Sequence, residues 1–204
     1  MLETLNNHLF LVINANSHPP ADIAALAEFI AQWVVYLAIV LAAPLWIWGK
    51  RDRRGALLAT AVGMITALLL NQALGQLWFE PRPFMIGLGH TLLWHAADNA
   101  FPSDHAAFLW GLGLGLIVTG ASRPWGWFTC LLGIVVAWAR IYVGVHFPID
   151  MAAALLTATV GAGVARVGVP ATARWALPPI EYVYGGALKI LRLPPRLFPP
   201  NASY

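Results

Sequence analysis

The sequence GALLATAVGMITALLLNQALGQL, at residues 55–77, runs for 23 residues without a charged side chain. The stretch before it, FIAQWVVYLAIVLAAPLWIWG at residues 29–49, is uncharged over 21 residues. A helix that crosses the hydrocarbon core of a bilayer needs roughly 20 predominantly apolar residues. Each stretch is therefore predicted to be a membrane span, and the predicted fold class is an all-α, polytopic helical membrane bundle.

Three shorter apolar runs continue this pattern, at residues 106–122, 124–139 and 151–165. Each reaches spanning length only if the polar residues at its ends lie in the headgroup region. We therefore predict five spans, in a membrane core that covers residues 29–169.

Two flanking segments are predicted to lie at the membrane surface, and together with the core they form one domain over residues 1–204. Residues 1–20 begin by mixing leucines with polar side chains, as an interfacial amphipathic helix does, and lack the basic start of a cleavable signal. Residues 175–204 comprise an apolar stretch interrupted by prolines, predicted to be an interfacial helix, and a proline-rich tail. A sixth span at residues 175–191 remains an alternative.

The composition excludes a water-soluble protein. Of the 204 residues, 59% are hydrophobic and only 10% are charged, whereas soluble domains average about 25% charged residues. The net charge of +3 is spread over short clusters, which suits orientation in a membrane better than binding of nucleic acid. The single cysteine, Cys130, cannot form an intramolecular disulfide.

The basic residues predict the orientation of the bundle. The loop KRDRR at residues 50–54 is the strongest cytoplasmic signal. Counting spans from it puts ten of the twelve lysines and arginines on the cytoplasmic face, provided that the C-terminal helix does not cross. Arg82 and Arg140 fall on the outer face, against the usual bias. Two stray interfacial arginines are one explanation, and a specific role is the other.

Four polar segments converge on that outer face, because spans three and five begin there and spans two and four end there. They are residues 80–84 (EPRPF), residues 101–105 (FPSDH), Arg140, and residues 146–150 (HFPID). Independent polar residues have no reason to collect at one face beside two arginines. The convergence therefore predicts a site.

The helix starts at this face predict that the site binds phosphate. Ser103 is a plausible N-cap of span three, and Pro148 suits the first position of span five. Two helix N-termini aimed at one place offer backbone N–H groups and positive dipole ends to an anion. The planar forks of Arg82 and Arg140 match phosphate oxygens bidentately.

The histidines predict the chemistry. The imidazole of His146 can attack phosphorus if Asp150, four residues later, holds its other nitrogen as a donor. His105, from another span, can then serve as general acid and later as general base. Taken singly, each group has a simpler interpretation as an interfacial histidine or a helix N-terminal charge.

No metal and no cofactor are predicted. The outer segment holds His90, His95 and Asp98, but the spacing of its histidines is not a zinc pattern and no cysteine accompanies them. A lid over the site is the preferred interpretation of this segment. Glu80 is interpreted either as a partner that orients Arg82 or as a simple loop charge.

These segments resemble the three-part signature of the type-2 phosphatidic acid phosphatase superfamily, K-x6-R-P, P-S-G-H and S-R-x5-H-x3-D. The matching residues are Arg82-Pro83, residues 102–105, and Arg140 with His146 and Asp150, in which the last spacing is fully preserved.

The resemblance implies a role for each site residue. His146 would be the nucleophile that forms a phosphohistidine, Asp150 its support, and His105 the acid and base. The phosphate would be bound by a further set: Arg82, Ser103, Asp104 through its backbone N–H, and Arg140.

Three positions depart from the signature. Gly75 stands in place of the lysine, Asp104 in place of the glycine, and Ala139 in place of the serine. The missing lysine removes one expected phosphate contact. The carboxylate of Asp104 would repel an anion unless it faces away or meets a cation.

The motifs look closest to the bacterial bacitracin-resistance type of undecaprenyl-diphosphatase. That resemblance implies a polyprenyl diphosphate substrate, cleaved without a metal on the periplasmic side of the inner membrane, so that the carrier lipid is recycled for cell-wall synthesis. The alternatives are a phosphatase for phosphatidylglycerophosphate or phosphatidic acid, and an anion-binding transporter. A transporter would place ionisable groups through the membrane depth, whereas here they cluster at one mouth. The sequence leaves the oligomeric state open.

Overall fold

In a computed structural model, residues 1–194 and 197–198 are described, and they form seven α-helices and no β-strand. The helices are α1 (Leu2–Ile13), α2 (Ala21–Ile47), α3 (Arg51–Leu77), α4 (Asp104–Thr119), α5 (Arg123–Tyr142), α6 (Pro148–Ala171) and α7 (Leu177–Ile190). A short 3-10 turn, Pro83–Ile86, lies between α3 and α4, and a π-helical segment, Thr172–Ala176, joins α6 to α7. The predicted all-α class is confirmed.

Among the described residues, four helices are long and apolar enough to cross a membrane: α2, α3, α5, and the continuous helix Pro148–Ile190. The remaining core helix, α4, has 16 residues, which at 1.5 Å per residue is about 24 Å. It packs alongside α5, and its role as the predicted fifth span stays a prediction. The structure is thus a helical membrane bundle.

The helices extend beyond the apolar runs that predicted them. The first span begins at Ala21 rather than residue 29, and α3 begins at Arg51 rather than residue 55. Backbone hydrogen bonds continue past the apolar runs, and acidic residues in a first turn, here Asp22 and Asp52, suit the positive end of the helix dipole. The sequence pattern therefore marks the hydrocarbon-facing part of each helix and not its ends.

Close backbone packing joins α3 to α6. A Cβ atom added to Gly63 would collide with the carbonyl oxygen of Gly161, and one added to Gly161 would collide with that of Gly63. A Cβ on Gly115 of α4 would similarly meet the side chain of Thr60. Small residues allow helices to approach in this way in a membrane, where van der Waals contact drives packing.

The helix α7 stays at the end of the bundle where α3 begins. Arg54 is fully buried and donates hydrogen bonds to the carbonyls of Trp46 (3.0 Å) and Ile47 (3.2 Å). Its Nη1 also lies 3.6 Å from Oε1 of Glu181 on α7. The interfacial assignment of residues 175–204 stays a prediction, and residues 195–196 and 199–204 of the tail lie outside the described residues.

The N-terminal helix α1 packs at the opposite end of the bundle. Phe10 is fully buried, and its ring centroid lies 5.2 Å from that of Phe147. The side chain of Asn14 donates to the carbonyls of His90 (2.9 Å) and Tyr142 (3.0 Å). Since Phe147 and Tyr142 flank His146, α1 braces the backbone around that histidine. Its interfacial position stays a prediction.

Candidate active site

Two helix N-termini meet at the end of the bundle that α1 braces. The backbone N–H of Ser103, just before α4, donates to the carbonyl of Asp150 in the first turn of α6 at 3.3 Å. Ser103 occupies the N-cap position, as predicted, but its hydroxyl makes no capping bond. That hydroxyl is buried and has no hydrogen-bond partner in the described part of the chain.

His146 lies between α5 and α6 with a defined tautomer. Its Nδ1 is 3.0 Å from Oδ2 of Asp150, and its Nε2 is 3.3 Å from Nη1 of Arg82. A guanidinium can only donate, so Nε2 accepts and Nδ1 carries the hydrogen that Asp150 receives. Burial, then the charges of Arg140 and Arg82, hold the pKa of His146 well below its ordinary value. The ring is neutral, and Nε2 carries a lone pair.

The carboxylate of Asp150 serves both the histidine and the helix. Its Oδ2 also accepts the backbone N–H of Phe147 at 2.8 Å, which satisfies a donor at the start of α6. The side chain is fully buried. Asp150 therefore fixes the orientation of the His146 ring relative to the helix.

Arg82 is buried and held by several acceptors. Its Nε donates to Asp98 Oδ1 at 2.8 Å, its Nη1 to the carbonyl of Val145 at 2.8 Å, and its Nη2 to the carbonyl of Asn99 at 3.1 Å. The arginine thus ties the segment before α4 to the backbone next to His146.

Arg140 differs from Arg82 because it forms no direct ion pair, although the charges of Asp104 and Asp98 act on it from farther away. It is 2% exposed, and its Nη1 donates to the carbonyl of Ala31 at 3.1 Å. No carboxylate lies within ion-pair distance of it among residues 1–194 and 197–198, and its Nε has no hydrogen-bond partner there. A buried guanidinium without a counter-charge is costly unless an anion joins it.

A cavity of about 630 Å³ brings the predicted residues together. We call it the site cavity. Its lining includes Arg82, Asp104, His105, Arg140 and His146, which come from the segment before α4, from α4, from α5 and from the turn before α6. Ser103 and Asp150 lie behind this lining. The volume is in the usual range for a small-ligand site.

Asp104 does not face the cavity as a bare charge. Its Oδ1 accepts a hydrogen bond from Nδ2 of Asn71 at 3.0 Å, and its Oδ2 accepts one from Nε2 of Gln72 at 2.9 Å. Asn71 in turn accepts a bond from the hydroxyl of Thr157 on α6 at 2.7 Å. The aspartate that replaces the glycine of the signature therefore meets two amides of α3, and no cation is required.

Gly75, at the position of the signature lysine, packs against Asn99. The side-chain amide of Asn99 donates to the carbonyls of Gly75 (2.7 Å) and Trp78 (2.9 Å). A Cβ atom at position 75 would lie 3.1 Å from Asn99 Nδ2 and 3.2 Å from the carbonyl oxygen of Phe101. This packing leaves little room for a longer side chain.

Sequence reasoning missed the amide side chains of this site: Asn71, Gln72 and Asn99. The available signal was their polarity, since Asn71 and Gln72 interrupt an apolar span. The sequence prediction rests on charged side chains, and amide side chains carry no charge.

No group of three or more histidine, cysteine or acidic side chains in the described part of the chain is arranged to hold a metal ion. The predicted metal-free chemistry stays a prediction.

The chain is similar to known proteins both in sequence and in fold. The PAP2 superfamily matches residues 56–173. The chain is 36% identical over 162 residues to the putative undecaprenyl-diphosphatase YbjG of Escherichia coli (strain K12), covering 79% of this chain and 81% of that protein. It is 30% identical over 156 residues to the undecaprenyl-diphosphatase BcrC of Bacillus subtilis (strain 168), covering 76% and 80%.

A solved structure shares the fold. The crystal structure of Aquifex aeolicus LpxE matches with a TM-score of 0.66 at 21% identity, over 79% of this chain and 94% of that one. At this identity the likeness concerns the arrangement of the helices alone.

Proposed function

The chain belongs to the PAP2 superfamily, and from that premise we propose that it is a membrane phosphatase that hydrolyses undecaprenyl diphosphate to undecaprenyl phosphate and orthophosphate. The proposed substrate rests on the relatives named undecaprenyl-diphosphatase. This reaction would recycle the carrier lipid for cell-wall synthesis.

One observation carries the proposal. The buried guanidinium of Arg140, which has no direct ion-pair partner among the described residues, and the neutral, carboxylate-held ring of His146 line the same cavity. The guanidinium of Arg140 needs an anion beside it, and the lone pair of His146 needs an electrophile to attack. A phosphate group supplies both.

In the first half of the proposed reaction, Nε2 of His146 attacks the terminal phosphorus. A bond forms between Nε2 and phosphorus while the bond from phosphorus to the bridging oxygen breaks. His105 gives a proton to the leaving oxygen. The negative charge on the equatorial oxygens is stabilised by Arg82, Arg140 and the free hydroxyl of Ser103.

The second half returns the enzyme to its starting state. With phosphorus on Nε2 and hydrogen on Nδ1, the His146 ring is positively charged, and Asp150 compensates that charge. His105, now unprotonated, takes a proton from water as the water oxygen attacks phosphorus. The bond from Nε2 to phosphorus breaks and orthophosphate leaves.

The protein is a multi-pass membrane protein, and we place its site on the periplasmic face of a bacterial inner membrane. The basic loop at residues 50–54, the strongest cytoplasmic signal, lies at the opposite end of α3 from the site cavity. The diphosphate would enter from the outer surface while the prenyl chain stays in the bilayer.

The test is phosphate release by the purified protein from undecaprenyl diphosphate, phosphatidylglycerophosphate and phosphatidic acid, with a chelator present. We expect the diphosphate to be preferred and the activity to survive chelation. His146→Ala and His105→Ala should lose activity, whereas His90→Ala, an exposed histidine outside the site cavity, should keep it. A preference for either glycerophospholipid would replace the proposed substrate, and loss on chelation would refute the metal-free mechanism.

A further inference from the structure

A third histidine lines the site cavity, and it lies outside the signature. His95 belongs to the segment between the 3-10 turn and α4, and its side chain is 24% exposed. It lines the site cavity and also a second cavity of about 260 Å³. His95, His105 and Arg140 line both, so these three side chains form the boundary between them.

The second cavity is suited to an apolar chain. It lies between α2, which contributes Trp33 and Tyr36, and the segment that carries Leu93 and Trp94. The rings of Trp33 and Tyr36 are 5.9 Å apart, and both residues are more than half exposed on the lipid-facing side of α2. A hydrocarbon tail that leaves the site cavity through this opening would enter the bilayer directly.

The chemistry of the reaction indicates which phosphate lies at the boundary. The attacking and leaving atoms are roughly in line through phosphorus, so the leaving group lies across the terminal phosphate from His146. His105, the proposed proton donor to that leaving group, is itself one of the boundary residues. The lipid-side phosphate of the diphosphate therefore sits next to His95.

The hydrogen bonding of His95 leaves one ring nitrogen for a ligand. Its Nδ1 lies 3.2 Å from the carbonyl oxygen of Ala96 and 3.7 Å from Oδ1 of Asp98, so Nδ1 carries hydrogen and Nε2 remains. Burial, then the charge of Arg82, lowers the pKa of His95. A phosphate beside the ring favours the protonated form, whose Nε2–H donates to a phosphate oxygen.

We infer, on the basis of the proposed function, that His95 binds the lipid-side phosphate of the substrate and selects a diphosphate over a monophosphate. In a monophosphate lipid the single phosphate occupies the position next to His146, and the tail begins where the second phosphate would lie. Such a substrate offers His95 nothing to bind.

The test compares farnesyl diphosphate with farnesyl monophosphate, which share one tail. We expect His95→Leu to lower kcat/KM for the diphosphate by about 10-fold to 100-fold, the value of a hydrogen bond to a charged group. The value for the monophosphate should stay unchanged. His95→Gln, which keeps a side-chain N–H donor, should restore part of the loss, and His90→Leu in the same segment should change neither substrate.

A second measurement uses inorganic anions as competitive inhibitors of farnesyl diphosphate hydrolysis. His95→Leu should raise the inhibition constant of pyrophosphate and leave that of orthophosphate unchanged. Equal losses on both lipids, or no loss on the diphosphate, would overturn the role of His95 while leaving the proposed function intact. A wild-type protein that releases no phosphate from the diphosphate would overturn both.

Discussion

Arg82 lies with its Nη1 3.3 Å from Nε2 of His146, although 64 positions separate them in the chain. The same Nη1 also donates to the carbonyl of Val145, the residue before the histidine. Arg82 thus sets both the backbone and the tautomer of His146, because a guanidinium only donates and Nε2 must accept. An arginine at this position prepares the lone pair that the proposed reaction uses.

Asp150→Asn should separate catalysis from binding. The amide removes the negative charge that compensates the phosphorylated ring, while the shape of the side chain is kept. We expect kcat to fall by up to about 10,000-fold, the loss seen when the carboxylate of a catalytic triad becomes an amide. Steady-state kinetics should show KM little changed. The matched control is Asp52→Asn, which changes an exposed carboxylate at the end of α3 away from the site cavity. If Asp150→Asn raised KM and left kcat unchanged, the assignment would be contradicted.

Arg140→Met should abolish activity and stabilise the fold. The substitution removes a buried charge that has no direct ion-pair partner among the described residues, so the thermal midpoint in detergent should rise. Phosphate at ten times its dissociation constant should stabilise the wild-type protein by about 1.4 kcal/mol and leave this variant unaffected. Arg123→Met, exposed at the start of α5, should change neither quantity. A destabilised Arg140→Met protein would show that the guanidinium serves the fold.

The stability of the protein should depend on pH through His146. The pKa of His146 is lowered in the folded state from an ordinary value of 6.5. Below pH 6.5 the unfolded chain therefore binds a proton that the folded protein does not. The contribution of His146 to stability is fully present above pH 6.5 and is lost progressively as the pH falls from there toward the lowered pKa.

The pH dependence is measured by thermal unfolding of the wild-type protein and His146→Gln between pH 5 and pH 8. The variant should show the shallower slope. If the two proteins showed the same dependence of stability on pH, His146 would accept a proton in the folded state. The proposal that His146 is a neutral nucleophile would then be contradicted.

Asn71→Leu should weaken the start of α4. It deprives Asp104 of one donor and Thr157 of one of its two acceptors, so we expect a loss of about 1–3 kcal/mol in unfolding free energy. Activity should fall as well, because a shift of Asp104 would displace His105, the next residue and the proposed acid and base. The control is Thr66→Val on the same helix, which removes only a hydrogen bond to the carbonyl of Val62, one turn earlier. Denaturant unfolding measures the free energy of unfolding, and phosphate release measures activity. If Asn71→Leu were as active as Thr66→Val, the amide network would not be needed for catalysis.

The sequence predicted the spans because their length is imposed by the bilayer, and it predicted Arg82 and Arg140 because both oppose the charge bias of membrane loops. It did not predict the continuity of α6 with α7. The sequence interprets Pro178 and Pro179 as an interruption, but the helix continues through them, directly after the π-helical segment. Pro170 inside α6 is followed by the π-helical segment Thr172–Ala176, so the chain remains helical.

The roles of the site residues stay predictions, but their placement has a physical reason. Spacing within one motif positioned His146 and Asp150 relative to each other, since Asp150 lies in the first turn of α6 and its carboxylate accepts hydrogen bonds from the two residues just before the helix. The contacts of Asn71, Gln72 and Asn99 depend on how three helices pack against one another. Their polarity marks them in the sequence, but no local pattern records which groups they contact.

The touching glycines Gly63 and Gly161 give the bundle one stiff side and one compliant side. With no side chain between their backbones, α3 and α6 cannot part without losing the contact that joins them. The outer helix α2 instead rests mainly on α5 and touches α3 and α4 only slightly. A long hydrocarbon chain would thus come and go past α2 while the catalytic half of the bundle stays still, and cross-linking α2 to α5 would slow turnover without altering the chemistry.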